Sequence, residues 1–201
     1  DVYKRQLLNA GRLKGLGTNN LKGKAFVTSG LGGMSGAQAK ALIVTGATGI
    51  IAEVDHDAIR QRIADHYIRE EDVFTDLDAM LTEFVKSKNA EEARCFVYQG
   101  NIVEVWEKLV VKHIHIELGS DQTSCHNIDH LGYCPVECTF EEAKTLMDDD
   151  KEGFDQAIKR SLRRHVDAIN VMCSRGMYFW DYGNAFLFEA ARAGADIMDP
   201  H

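Results

Sequence analysis

The segment that decides the fold is Lys24-Ala-Phe-Val-Thr-Ser-Gly-Leu-Gly-Gly-Met-Ser-Gly-Ala-Gln38. It begins with an apolar run that predicts a buried strand, and it continues through a glycine-rich turn into a helix-forming stretch that ends near Val44. A strand, a glycine turn and a helix in this order form a cradle for a pyrophosphate. Glycine lets the backbone approach the phosphates, and the start of a helix offers free N–H groups with a partial positive charge.

An acidic residue follows the glycine turn at the spacing expected of a dinucleotide fold. The run Ile50-Ile-Ala-Glu53 predicts a second strand about twenty residues on, and a carboxylate at that point binds ribose hydroxyls. Asp55 is the nearby competitor for that role and also a plausible helix cap. The pattern G-x-G-x-x-G, taken from Gly30 and Gly32, has Ser35 at its third glycine. A structural turn with no ligand is therefore the alternative interpretation.

Strands and helices alternate along the rest of the chain. Hydrophobic periodicity predicts helices at 56–67, 72–86, 103–110, 154–172 and 185–193, and strands at 94–98, 114–118 and 177–180. This alternation is typical of an α/β protein with a Rossmann-like, doubly wound parallel sheet, helices on both faces and a helical C-terminal segment.

Unusual polar and glycine residues fall at the predicted ends of four strands. They are the glycine turn 30–36, Glu53, Gly100-Asn101 and the segment 119–126. Ligands of parallel α/β sheets bind outside the carboxyl ends of the strands. These four segments are therefore expected to converge on one site.

Composition narrows the class of protein. The 201 residues are 45% hydrophobic and 27% charged, which is usual for a globular domain. The net charge of −8 argues against a nucleic-acid binder, and no apolar run is long enough to span a membrane. The five cysteines are an odd number in a chain of this length, so a disulfide scaffold is not expected and a cytoplasmic location is the default.

The glycine segment resembles the nucleotide loop of the urocanases (urocanate hydratases), and other segments agree with that family in the same order. They are Leu118-Gly-Ser-Asp-Gln-Thr-Ser-Cys-His-Asn127, then Gly132-Tyr133 before Pro135, then Phe179-Trp-Asp-Tyr-Gly-Asn184 leading to Glu189-Ala-Ala-Arg-Ala-Gly-Ala195. The agreement extends from about Leu7 to about Asp196, which is nearly the whole chain.

The resemblance implies a bound NAD+ whose nicotinamide ring acts as an electrophile towards urocanate. The family adds water to urocanate and forms imidazolonepropionate in histidine degradation. The resemblance also implies a homodimer. It places no catalytic residue in this chain, because none of the five cysteines matches the family's catalytic cysteine, which lies further downstream.

Cofactor contacts carried over from the family lie at the strand ends and in the segments that follow them. They are Gly33, Met34, Ser35, Glu53, Asn101, Ile102, Gln122, Thr123, Ser124, Cys125, His126, Tyr133, Cys134 and Tyr182. Glu53 would hold the adenosine ribose, and its charge would disfavour the extra phosphate of NADP+. Tyr182 would lie near the nicotinamide end, and its alternative role is to cap a strand.

Two other functions stay open on the residues alone. An ordinary NAD-dependent dehydrogenase domain would also have the glycine turn. A non-catalytic nucleotide- or zinc-binding module is the third hypothesis, because thiols and imidazoles cluster between Cys125 and Cys138. The spacing lacks the C-x2-C pairs of common zinc modules, so no metal site is expected.

The expected domain organisation is a connector at residues 1–23 followed by an incomplete Rossmann-like NAD-binding domain at 24–201. The connector would be the end of an N-terminal region that the family carries before this point. Residues 1–6 match no family pattern, and residues 199–201 add no closing element. The chain is therefore expected to be a fragment that is inactive alone.

Overall fold

The structure, a computed structural model, describes residues 2–17 and 19–197. The helices are α1 Val2–Leu13, α2 Ala37–Val44, α3 His56–Ala64, α4 Leu77–Asn89, α5 Ile102–Val111, α6 Phe140–Asp149, α7 Lys151–Ser174 and α8 Phe186–Arg192. The strands are β1 Ala25–Ser29, β2 Thr48–Glu53, β3 Val73–Phe74, β4 Arg94–Gln99, β5 Leu118–Asp121 and β6 Tyr178–Asp181. Short 3-10 turns cover Glu70–Asp72 and Cys125–His130.

The six strands form one parallel sheet in the order β3-β4-β2-β1-β5-β6. From β1 the chain adds β2, crosses to β3 at the edge and returns to place β4 between β2 and β3; it then passes to the other side of β1 to add β5 and β6. The direction of winding therefore reverses between β1 and β5. This reversal is the switch point at which such sheets bind ligands.

Alternate residues of the central strands pack on opposite faces of the sheet, as the strand period of two requires. Val27 and Ile50 contact the larger core, which is built with α4, α5, α7 and α8. Phe26 and Ile51 contact the smaller core, which is built with α1, α2 and α3. The predicted doubly wound α/β fold with helices on both faces is confirmed.

The strand predicted at 114–118 was placed too early in the chain. The strand β5 begins where the prediction ended, and Leu118 is already paired with Phe26 of β1. Ile114 instead closes the end of α5, since its N–H donates to the carbonyl of Leu109 at 3.1 Å. The prediction followed β-propensity, but a glycine is needed inside β5. A Cβ at Gly119 would lie 2.9 Å from the ring of the buried Trp106.

The predicted helix at 72–86 was wrong at its start. Val73–Phe74 is an edge strand, and the helix begins only at Leu77, after Asp76 caps the N–H of Ala79 at 3.0 Å. The buried Asp72 binds Arg69 and Arg94, and these pairs hold the segment against β4. Tertiary ion pairs of this kind are not visible in hydrophobic periodicity.

Two other helices differ from their predicted bounds. The helix predicted at 56–67 ends at Ala64, although its cap, Asp55, is confirmed by a 2.9 Å bond from the N–H of Asp57. The long helix was predicted from 154, but α7 begins at Lys151 and is preceded by α6, which hydrophobic periodicity did not predict. A capping box between Thr139 and Glu142 begins α6.

The N-terminal residues expected to form a connector contain the helix α1, whose Leu7 and Ala10 are buried in the smaller core. Residues 199–201 lie outside the described part of the chain. Among the helices that the structure describes, none combines the length and the apolar character that crossing a bilayer would require.

Candidate functional site

The glycine turn after β1 is held tightly at its first residue. Gly30 has a φ of +91°, and a Cβ there would lie 3.0 Å from the carbonyl oxygen of Gln122. Glycine is therefore required at this position both by conformation and by space. The close approach of Gly30 to Gln122 joins the ends of β1 and β5 at the switch point.

The middle of the same turn is open. A Cβ at Gly33 would meet nothing within 4 Å, and Met34 is 83% exposed. Hydrogen bonds that continue into α2 begin with the N–H of Gly36, which donates to the carbonyl of Gly32 at 2.9 Å. Within the described residues, the N–H groups of Gly32, Gly33 and Met34 have no partner. Free N–H groups before a helix are the usual binding site for a phosphate.

Ser35 occupies the third-glycine position without blocking the turn. It is only 8% exposed, and its hydroxyl lies 3.2 Å from the position that a Cβ of Gly30 would take. The side chain thus fills the inside of the turn.

Gln38, which was not among the predicted contacts, anchors the turn to β1. Its side-chain amide donates to the carbonyl of Ser29 at 3.2 Å, and its oxygen accepts from Thr28 at 3.1 Å.

Glu53 lies at the end of β2 with its carboxylate turned towards the glycine turn. One oxygen accepts from the N–H of Leu31 at 2.6 Å and the other from the N–H of Asp55 at 3.0 Å. Burial raises the pKa of Glu53, and the two backbone bonds partly oppose that rise. Asp55, the competitor for the ribose role, uses its own carboxylate to cap α3.

The strand ends enclose one cleft of about 210 Å³. Nine of the fourteen predicted contacts line it: Ser35, Glu53, Asn101, Ile102, Gln122, Thr123, Ser124, Tyr133 and Cys134. Residues that sequence reasoning missed also line it, including Val54, Ala58, Leu131, Gly132 and Phe140. These residues carry no polar side chain, so the sequence did not suggest that they belong to a site.

Five predicted contacts lie outside this lining. Gly33 and Met34 sit on the open rim of the turn. Cys125 and His126 instead line a second cleft of about 440 Å³, between the 3-10 turn and the helices α7 and α8. Tyr182 packs edge-on against Tyr3 and Trp180, and the hydroxyl of Tyr3 in turn donates to Gln122 of the cleft at 3.3 Å.

Asn101 uses its amide within the protein. Its oxygen accepts from the N–H of Val103 at 3.0 Å and caps α5, and its nitrogen donates to the carbonyl of Cys134 at 2.8 Å. The start of α5 and the segment 131–134 are therefore joined across the cleft. Gly132 permits a second close contact, because a Cβ there would lie 2.2 Å from the carbonyl oxygen of Ser124.

A buried carboxylate organises the end of β5. Asp121 is fully buried and accepts from the hydroxyl of Ser29 at 2.6 Å, the N–H of Thr123 at 3.0 Å and the amide of Asn184 at 2.9 Å. These donors come from three separate segments. The segment that contains Asp121 was singled out only because it resembles the family. Asp121 itself was not among the predicted site residues.

The cysteine and histidine cluster does not form a metal site in the part of the chain that the structure describes, where no three potential ligands come together. All five cysteines are free. Burial raises the pKa of every one of these thiols, and it raises the pKa of Cys134 to about 12. Protonated thiols are poor nucleophiles and poor metal ligands.

Comparison with known proteins agrees with this architecture. Residues 4–199 match the family model described as the urocanase Rossmann-like domain. The chain is 51% identical over 195 residues to a probable urocanate hydratase of Dictyostelium discoideum, and 48% and 46% identical over 196 residues to the urocanate hydratases of Mus musculus and Homo sapiens.

These alignments cover 95–96% of the chain but only 28–29% of each relative. The chain thus spans less than a third of the length of these relatives. The family match extends over nearly all of the sequence, and the parallel sheet with its glycine turn is the fold that this family model describes. The chain belongs to the urocanase family and corresponds to its Rossmann-like domain.

Proposed function

We propose that this chain is the NAD+-binding region of a urocanate hydratase. One observation carries the proposal: the free N–H groups before α2 and the carboxylate of Glu53 lie at neighbouring strand ends of the same switch point. Phosphate oxygens require donors of the first kind, and ribose hydroxyls require an acceptor of the second kind.

The residues present fit a dinucleotide. The missing side chain at Gly33 leaves room for close approach of a pyrophosphate, and the side-chain N–H groups of Gln122 can donate to it further along without adding charge. The enclosed volume of about 210 Å³ is smaller than the roughly 300–1,000 Å³ of complete ligand pockets. A dinucleotide would therefore extend over the open rim beside Met34.

In the family, the oxidised nicotinamide ring withdraws electrons from urocanate, so that water can add and imidazolonepropionate forms. The residues of this chain would bind and orient the cofactor. Glu53 would hold the ribose in its ionised form, because an ionised carboxylate accepts two hydroxyl hydrogen bonds and repels an additional phosphate.

The relatives are more than three times as long as this chain. The resemblance places the family's catalytic cysteine downstream of the matched residues. We infer that the isolated chain does not hydrate urocanate. We further propose that the full protein works in the cytoplasm as a homodimer in histidine degradation.

Calorimetric titration of the purified chain with NAD+ and NADP+ tests the cofactor proposal. NAD+ is expected to bind more tightly than NADP+. Glu53→Gln should weaken NAD+ binding by roughly 10-fold or more, because a hydrogen bond to a charged group is worth about 1.5–3 kcal/mol. It should also narrow the difference between the two cofactors. Glu83→Gln, at an exposed acid on α4, is the matched control and should change neither affinity.

Ultraviolet absorption of urocanate tests the inferred inactivity of the isolated chain. No decrease is expected when the chain is incubated with urocanate and NAD+, and turnover would contradict the inferred inactivity. Reduction of free NAD+ by an alcohol or a hydroxy acid would instead support an ordinary dehydrogenase. If the chain binds neither cofactor and Glu53→Gln has no effect, the cofactor proposal is wrong.

A further inference from the structure

A fully buried histidine lies behind the cleft in the middle of α7. His165 has no exposed surface, and its ring packs against Phe186 with centroids 4.6 Å apart. Its Nδ1 lies 3.2 Å from the hydroxyl of Tyr133. Its Nε2 has no hydrogen-bond partner among the described residues, and the carboxylate of Asp121 lies 4.0 Å from it. A buried imidazole in such a place needs an explanation.

The hydrogen bonds around His165 run in one direction. The N–H of Val136 donates to the hydroxyl oxygen of Ser161 at 3.0 Å, which leaves the proton of Ser161 free to donate to Tyr133 at 3.3 Å. If Tyr133 donates to Nδ1 of His165, both hydroxyl protons have an acceptor, whereas a donating Nδ1–H would leave the proton of Ser161 without one. The arrangement that satisfies both hydroxyls therefore has a bare Nδ1 and a proton on Nε2, which faces Asp121.

The charges around His165 agree with a neutral ring. Burial lowers the pKa of His165 to about 4, although the carboxylates of Asp121 and Glu107 oppose this. Asp121 already accepts hydrogen bonds from Ser29 and Asn184 in two other segments and from its neighbour Thr123, so it does not need a protonated imidazole to compensate its charge. Burial also raises the pKa of Tyr133, which keeps its hydroxyl protonated as a donor.

Tyr133 links this network to the cleft. It is 2% exposed and lines the cleft beside Cys134 and Gly132. The same segment is fixed at its two neighbours, by the bond from Asn101 to Cys134 and by the close approach of Gly132 to Ser124. The hydroxyl of Tyr133 is the third attachment, and it is the one that reaches α7.

We propose that His165 is a positioning residue that, as the neutral Nε2–H tautomer, holds Tyr133 and so fixes the 131–134 wall of the cofactor cleft. The link to NAD+ rests on the function proposed above. The link to the wall does not, because it follows from contacts within the protein. Two kinds of measurement can therefore separate the two proposals.

Nitrogen NMR of the free chain, labelled at histidine, tests the tautomer. His165 is expected to show a protonated Nε2 and a bare Nδ1, with no change between pH 5.5 and 8. A protonated Nδ1, or titration near the ordinary histidine pKa, would overturn the proposal. A histidine that merely fills space would have no reason to show one fixed tautomer.

Two variants of His165 test its effect on the wall. His165→Asn keeps an acceptor near the position of Nδ1, whereas His165→Phe keeps a ring but removes the acceptor. Hydrogen exchange at the amide of Val136, which donates to Ser161, is expected to be roughly 10-fold faster in the Phe variant. It should stay within about threefold of the parent in the Asn variant. Equal exchange in both variants would overturn the proposal.

NAD+ titration of the same variants tests the link to the cofactor. We expect the Phe variant to bind about 10-fold more weakly and Tyr133→Phe to show a similar loss, with no further loss when the two are combined. His113→Asn is the matched control, since His113 is exposed in the connection between the end of α5 and the start of β5. If the parent chain does not bind NAD+, the proposed function fails, while the NMR and exchange results still decide the role of His165.

Discussion

The two sides of the cleft recognise ligands in different ways. The glycine turn, residues 30–36, is a backbone surface: Gly33 has open space around it, and the N–H groups of its middle residues are free. The β5 segment, residues 121–136, is a side-chain network in which Asp121 and Tyr133 are buried and bonded to distant parts of the chain.

The cleft therefore has backbone donors on one side and a network of side-chain contacts on the other. Backbone donors on the turn can bind a phosphate without any charged side chain, so a net charge of −8 is compatible with the proposed binding of NAD+. The β5 segment contributes shape instead, because its polar groups are used to hold one another. Substitutions in the open part of the turn should therefore change binding directly, whereas substitutions in the β5 segment should act through stability or through the position of the wall.

The largest loss of stability is expected for Asp121→Ala in the β5 segment. Removing the carboxylate leaves the buried donors of Ser29, Thr123 and Asn184 without an acceptor, at about 1–3 kcal/mol for each such group. Urea denaturation should show a loss of roughly 3 kcal/mol or more. Asp57→Ala, at an acid that is 77% exposed, is the control and should change stability by about 0.5 kcal/mol or less. Equal effects would mean that the β5 network is not needed for stability.

The glycine turn offers a matched pair of substitutions. Gly30→Ala should cost about 1–3 kcal/mol, because alanine is strained at a φ of +91° and its Cβ would press on Gln122. Gly33→Ala should leave the stability within about 0.5 kcal/mol, since the space there is open. Thermal unfolding measures both. Gly33→Ala should nevertheless weaken NAD+ binding, and unchanged binding would argue against a pyrophosphate at the open part of the turn.

Glu53 should make the stability depend on pH. Because burial raises its pKa in the folded state, the folded chain binds a proton more readily than the unfolded chain. The contribution of Glu53 should therefore fall as pH rises from its unfolded pKa, near 4.5, to its higher folded pKa, and then stay constant. The difference in melting temperature between the parent chain and Glu53→Gln, measured across that range, checks this. A difference that rises with pH would show that the backbone bonds outweigh the burial.

The smallest effect concerns the thiols of the β5 side. Cys125 and Cys134 are buried with raised pKa values, so iodoacetamide at pH 7.5 should modify them slowly in the folded chain. The half-buried Cys138 and Cys173 should react first. Mass spectrometry after timed labelling gives the order, and labelling of the chain in urea is the control. Fast labelling of Cys134 in the folded chain would show that the cleft wall opens.

The glycine turn was predictable because its physics is local. A strand, a glycine that must adopt positive φ and a helix start are all encoded within fifteen residues, and Glu53 follows at a fixed spacing. The β5 strand was misplaced for the opposite reason. Its residues have low β-propensity, and only the packing of Trp106 against Gly119 explains their conformation.

The network behind the cleft was not predictable from spacing. His165 and Asp121 are separated by more than forty residues. His165 lies three residues after Leu162 and four before Ile169, so helical spacing places it on the apolar face of α7, but that pattern does not show which groups its ring contacts. Cys125 and His126 illustrate the converse. They stand beside Thr123 in the sequence, yet the 3-10 turn directs them to a different cleft.

The sequence by itself determined the parallel α/β class and the glycine turn, because these depend on hydrophobic period and on short-range backbone geometry, and it indicated the family through the resemblance of its motifs. Only the tertiary structure decided which of the predicted contacts share a cleft and what holds its far wall. Those answers depend on burial and on hydrogen bonds between residues far apart in the chain, and no local pattern encodes such distances.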